Sequence, residues 1–164
     1  MRYIFVDFDG VLNTEKYQNA LRHKGLKTCD NYGPIFDPSA VECLCDIVAQ
    51  VPDASIVIIS SWKFEGEERM FQLWKDRNLP GVLSGITPTM IPMSLDDLYA
   101  GKGREIKAWL STHPATHYVI LDDVPDFLPE QMQHYIEINP IVGLTPEIVD
   151  QSVKILMSVY GKDK

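Results

Sequence analysis

Short apolar runs alternate along the chain with longer stretches in which apolar positions recur every three or four residues. The first run, Tyr3-Ile4-Phe5-Val6, is of strand type and ends abruptly at Asp7. Asp37 followed by Pro38 predicts an N-cap with proline in the first turn, and Val41, Leu44, Cys45 and Val48 continue the helix. Ser55-Ile56-Val57-Ile58-Ile59 is too short for a helix and too apolar for an exposed strand, which predicts a buried parallel strand. Residues 62–78 are expected to be helical in their second half, with Glu65, Glu67 and Glu68 early, Lys75 and Arg77 late, and Met70 and Trp74 on one face. A further strand is predicted at 82–86, and 87–101, with Pro88 and Pro92, reads mainly as loop. Ile106, Trp109 and Leu110 mark a helix over 102–112, Tyr118-Val119-Ile120-Leu121 a strong strand, and Tyr135-Ile136-Glu137-Ile138 a short one. Thr145-Pro146 opens a last helix with the stripe Ile148, Ser152, Ile155, Leu156, Val159.

Strands alternating with helices predict an α/β fold: βαβ units, a mostly parallel sheet and helices on both faces. With 164 residues, of which 45% are hydrophobic, a single domain over 1–164 is expected. Residues 13–36 interrupt the alternation. They are polar and turn-rich, with Lys16, Arg22, His23, Lys24 and Lys27 against the single acid Glu15 in the first half, and read as a flap or small insertion. The formal charge of −8 argues against a diffuse basic surface for nucleic acid. Cys43 and Cys45 face apart on their helix and Cys29 stands alone, so no disulfide framework is expected and a reducing cytoplasm fits best. The opening run stops at Val6 and no stretch approaches the roughly 18 apolar residues a spanning helix needs, so neither a signal peptide nor a membrane role is expected.

The candidate chemistry starts at Asp7-Phe8-Asp9-Gly10, where a strand delivers two carboxylates one residue apart into a glycine turn. Alternation along an extended chain puts Asp7 and Asp9 on the same side. Like charges that close are costly unless a cation sits between them or one carboxyl keeps its proton. An ordinary Asp-Gly turn uses the same residues, so the other strand ends must decide. In parallel sheets, ligands gather beyond the carboxyl ends of the strands. The residues that follow the two other strongly apolar strands are Ser60 and Asp122, and Asp123 and Asp126 come directly after. That density of hard oxygen ligands implies Mg²⁺. Ser61 and Lys63 adjoin Ser60, which is preferred because it terminates the apolar run. Lys102, at a helix entrance after Gly101, can aim at the sheet edge, ahead of its rivals Arg104 and Lys107. His113 and His117 are separated by Pro114 and read as surface residues, and the three tryptophans as core or rim.

The chain resembles the haloacid dehalogenase (HAD) superfamily of phosphohydrolases. Its motifs are D-x-D after the first strand, Ser or Thr after the second, Lys or Arg near a helix start, and an acidic pair after a later strand. The resemblance implies a three-layer Rossmann-like fold, with Asp7 as nucleophile, Asp9 as acid/base, and Ser60 and Lys102 as phosphate-binding groups, Ser61 standing beside them. It implies metal ligation by Asp7, Asp122 and the Asp9 backbone carbonyl, with Asp123 or Asp126 in support, while Gly10 lets the turn fold back under the carboxylates. Ser60-Ser61-Trp62-Lys63 with Lys102-Gly103-Arg104-Glu105-Ile106 also resembles a subgroup associated with RNA-repair-like proteins. The gaps of about 50 and 40 residues between the motifs leave no room for a large cap domain. A capless member accepts bulky phosphorylated substrates such as a nucleic-acid end, a nucleotide or a phosphoprotein. Receiver-like phospho-acceptor signalling and a non-catalytic binding domain are the alternatives, and Asp9, two residues beyond Asp7, favours hydrolysis.

Overall fold

The first strand, β1 (Arg2–Val6), is the centre of a five-stranded sheet, and everything else is arranged by its pairing. The computed structural model describes residues 1–159; the last five positions of the expected 1–164 domain lie outside them. After β1 come α1 (Glu15–His23), the two-residue strands β2 (Cys29–Asp30) and β3 (Gly33–Pro34), α2 (Pro38–Gln50), β4 (Ala54–Ile58) and α3 (Glu67–Asp76). Then follow β5 (Val82–Ile86), α4 (Gly101–Thr112), β6 (His117–Asp122), β7 (Tyr135–Glu137) and α5 (Pro146–Leu156). The order is β5-β4-β1-β6-β7, with every pairing parallel, while β2 and β3 form a separate antiparallel hairpin.

Alternation along the strands makes three layers. Ile4, Val6, Ile56, Ile58, Val119 and Leu121 join the core built with α2, α3 and α5. Tyr3, Phe5, Val57, Ile59 and Ile120 pack with Ile106 and Trp109 of α4. The chain moves outward from β1 through β4 to β5 and then crosses to the other side, so the direction reverses between β1 and β6. Val6 is level with both Ile58 and Leu121, so the chains leaving β1, β4 and β6 emerge at one lip of the sheet beside that switch point.

Three expectations change. The stripe read on α2 is rotated by one residue: Ala40, Cys43, Leu44 and Ile47 are buried, while Val41 and Val48 are partly covered and Cys45 is exposed. Both stripes share Leu44, and the sheet takes the one whose small members, Ala40 and Cys43, permit close approach. Residues 13–36 are also more ordered than turn-rich composition suggests. Thr14 caps α1 by accepting from Tyr17 N at 3.1 Å and donates to Asp37 Oδ2 at 2.8 Å, and buried Gln18 donates to Thr28 O and Ile35 O. Polar Gln18 shares the inward face with a single buried apolar residue, Leu21, so no apolar stripe announces the helix. Val159 lies beyond α5 and is exposed, and the 3₁₀ segment Pro129–His134 was not anticipated.

That segment fixes the start of α4. Gly103 N donates to Asp126 O at 3.0 Å, Lys102 N to Asp126 Oδ2 at 3.1 Å, and buried Gln131 donates to Gly103 O at 2.8 Å while accepting from Leu128 N at 2.9 Å. A Cβ on Gly103 would lie 2.5 Å from Gln131 Oε1 and 2.7 Å from Leu128 N. Helix propensity alone ranks Gly103→Ala as stabilising by about 1 kcal/mol. The close backbone reverses the sign, and urea unfolding of Gly103→Ala is expected to show a loss of about 1–3 kcal/mol; a gain would place α4 further from the 127–131 turn than described.

Candidate active site

The lip is built by continuation of the ladders past the strand ends. Asp7 N donates to Leu121 O at 3.0 Å, and Ile59 N to Val6 O at 3.1 Å, which carries the register one step beyond β1. The chain then turns sharply, with the N–H groups of Val11, Leu12 and Asn13 all directed at Phe8 O. Phe8 N donates to Asp7 Oδ1 at 2.8 Å and so sets the rotation of a nearly buried carboxylate. Asp122, fully buried at the end of β6, accepts from Val124 N at 3.0 Å.

Carboxylate oxygens of Asp7, Asp122 and Asp123 lie within 4.8 Å of one another. Lys102, at the start of α4, places Nζ 2.7 Å from Asp122 Oδ2 and 3.2 Å from Asp7 Oδ2. Burial raises the Asp7 pKa, against the opposing charge of Lys102. Asp122 is pushed up to about 7 by burial and then by the charge of Asp7. Burial alone would lower Lys102, but the charges of Asp7 and Asp122 outweigh it and raise its pKa. Gly10, with φ of +80°, is required twice: for the left-handed turn, and because a Cβ there would lie 2.6 Å from Asp123 Oδ2. Three hard oxygen donors converging at this spacing fit a Mg²⁺ ion.

Other expected residues stand around this group. The Asp9 carboxylate is exposed and turned away, accepting from Asn13 Nδ2 at 2.9 Å and Trp62 Nε1 at 3.1 Å. Asp126 lies outside the carboxylate group with its Oδ2 on the backbone of Lys102, where it caps α4. Ser60 is fully buried at the end of β4 and accepts from Trp62 N at 3.2 Å; Ser61 is exposed in the following 3₁₀ turn. His113 stacks on Trp109, and His117 Nε2 lies 2.6 Å from Ser158 O. Cys29, Cys43 and Cys45 are free.

Three residues gain importance that spacing did not reveal. Trp62 and Asn13 hold Asp9, and neither residue type signals chemistry. Lys63 is buried, with Nζ donating to Thr87 Oγ1 at 2.9 Å and paired with Glu105 on α4. Burial lowers its pKa although Glu105 opposes the shift. Its position three residues after Ser60 was the only available signal.

Metal and proton compete for this lip. In metal-free protein, Asp122 binds its proton more tightly folded than unfolded, so stability should fall as pH rises from about 4 to about 7. Conversely, Mg²⁺ affinity by calorimetry should weaken as pH drops from 8 to 6; pH-independent affinity would show that the buried carboxylates are not the ligands. Gly10→Ala, by displacing Asp123, is expected to weaken Mg²⁺ binding about tenfold or more.

Residues 3–149 match the family described as the HAD domain in Swiss Army Knife RNA repair proteins. The fold is similar to the HAD domain of effector protein Lem4 from Legionella pneumophila, at 17% identity over 95% of each chain with a TM-score of 0.54. An inactive mutant of the Lem4 domain aligns at 15% identity over 95% of this chain and 94% of that one, with a TM-score of 0.55. No protein of curated function matches the chain. Among the described residues no helix is long and apolar enough to cross a membrane. With the family match spanning most of its length and the acidic lip in place, the chain belongs to the HAD superfamily of hydrolases, in the subgroup of the Swiss Army Knife RNA repair HAD domains.

Proposed function

We propose that this domain hydrolyses phosphate monoesters with Mg²⁺ through an aspartyl-phosphate on Asp7. The observation that carries the reading is the convergence of Asp7, Asp122, Asp123 and Lys102 at one lip of the sheet. Asp7, Asp122 and Asp123 would hold the ion, and the family resemblance adds the Asp9 backbone carbonyl. When bound, Mg²⁺ supplies positive charge that lets an anionic carboxylate approach a phosphate dianion.

Asp7 attacks phosphorus in line, the P–O bond to the leaving alcohol breaks, and the phosphoryl group is left on the carboxylate. Asp9 protonates the leaving alkoxide; as the carboxylate it then takes a proton from the water that releases phosphate. Both Asp9 oxygens accept N–H donors here, the arrangement suited to the second step. Ser60 Oγ accepts from Trp62 N, which leaves its own O–H free to donate to a non-bridging phosphoryl oxygen. Lys102 follows the charge that spreads over the phosphoryl oxygens in a loose transition state.

Among the described residues no cap of domain size covers the lip, which suits a bulky phosphorylated substrate. Of the nucleic-acid end, the nucleotide and the phosphoprotein, the family's description in terms of RNA repair favours a nucleic-acid end. The unaltered chain is expected to turn over p-nitrophenyl phosphate with Mg²⁺, and Asp7→Asn to lower kcat by at least about a thousandfold with unchanged circular dichroism. Undiminished turnover would remove Asp7 as the nucleophile, and a long-lived phosphorylated Asp7 in the unaltered chain would indicate phospho-acceptor signalling instead.

A further inference from the structure

Beside the acidic lip lies a cavity of about 490 Å³ for which the chemistry above gives no occupant. Asp9 and Asp123 line it at the lip, together with Pro140, and Glu15, Asn19 and Arg22 extend it along one face of α1. The wall is preformed. Glu15 N donates to Pro140 O at 3.2 Å and Lys16 N to Ile141 O at 3.0 Å, while buried Gln18 ties the helix to the returning chain.

Charge is distributed unevenly along this cavity. Asp9, Asp123 and Glu15 make its near end acidic, whereas Arg22 stands seven residues beyond Glu15, about 10 Å along the helix axis. Side chains on a helix lean toward its N-terminus. Arg22 does so, its Nη1 donating to Asn19 Oδ1 at 3.1 Å, which brings the guanidinium back over the cavity. Among the described residues no carboxylate pairs with it.

Resting on the phosphatase reading, we propose that this cavity is the leaving-group subsite and that it takes an alcohol bearing a second phosphate, bound by Arg22 and Asn19. The leaving group must sit on the side of Asp9, because Asp9 protonates its alkoxide, and the cavity opens there. Its acidic near end disfavours an anion and accepts hydroxyl donors, so the second charge belongs at the far end. A phosphate in that place receives a charge-assisted contact that a simple monoester cannot make.

The test compares kcat/KM for a nucleoside 3′,5′-bisphosphate with that for the two monophosphates of the same nucleoside. The bisphosphate is expected to be preferred by about tenfold or more. Arg22→Ala should bring that ratio close to one, Arg22→Lys should retain part of it, and Lys75→Ala, which removes an exposed charge of α3, should leave it in place. Absence of a preference, or a preference that survives Arg22→Ala, overturns the proposal. A dinucleotide with a terminal 3′-phosphate separates the two sources of the second charge: preference for it indicates an oligonucleotide end, preference for the bisphosphate a free nucleotide, and either supports the subsite. Turnover of p-nitrophenyl phosphate reports the phosphatase reading separately. Should nothing turn over, calorimetric binding of the bisphosphate decides, with affinity reduced about tenfold by Arg22→Ala in support and equal affinity against.

Discussion

Three carboxylates gathered within 4.8 Å at a largely buried lip repel one another, and the low local dielectric enlarges that repulsion. Positive charge at the lip is the condition under which the rest of the domain makes sense. Lys102 supplies part of it by direct contact with Asp7 and Asp122. Even with that lysine, burial and the charge of Asp7 leave the pKa of Asp122 raised. A scaffold without chemistry gains nothing by keeping such a cluster in its interior, and structural ion pairs of this kind contribute little net stability.

The fold enforces the crowding through backbone hydrogen bonds, which side-chain substitutions cannot easily relax. Parallel pairing of β1 with β6 continues through Asp7 N to Leu121 O, so Asp7 and Asp122 are neighbours by register. Asp123 is admitted only because Gly10 offers no Cβ. Lys102 is delivered by a helix whose first turn is pinned to the 126–131 segment through Asp126 and Gln131. The Lys63–Glu105 pair, with Thr87, ties the same helix to the ends of β4 and β5 from the opposite side. Each element that brings a charge to the lip is therefore held by contacts that do not involve the charge itself.

Much of this was legible in sequence because it follows from periodicity and strand ends. The runs of β1, β4 and β6 are too apolar to be anything but central strands, and the residues after them define the lip. The α1 helix was not legible: its buried residues are only Leu21 and Gln18, and the value of Gln18 lies in two carbonyls from a distant return of the chain. The face of α2 was ambiguous for another reason, since two overlapping stripes share Leu44 and only the facing sheet chooses between them. At the site, sequence left Asp123 and Asp126 equivalent. Coordinates separate them, because Asp126 is engaged by the Lys102 backbone while Asp123 faces Gly10. Spacing along a chain indicates which acids arrive at a place, but their orientation depends on backbone donors that spacing does not encode.

Orientation also explains how two aspartates one residue apart come to stand in different surroundings. Asp7 and Asp9 leave the same strand, yet Asp7 is turned inward by Phe8 N and Lys102, while Asp9 is drawn outward by Asn13 and the indole of Trp62. Trp62 is held in turn by its packing against Phe8 and Phe36, so the position of Asp9 is fixed by the aromatic cluster beneath the turn. The result is a site with two poles. At the inner pole lie the buried acids and Lys102; at the outer pole, a solvent-facing acid borders the cavity that opens along α1. A carboxylate at the inner pole is surrounded by charge and suited to holding metal and attacking phosphorus, whereas one at the outer pole can exchange a proton with a departing alcohol and then with water. Environment, rather than residue type, separates the two aspartates, because the donors around the turn draw their side chains into different surroundings.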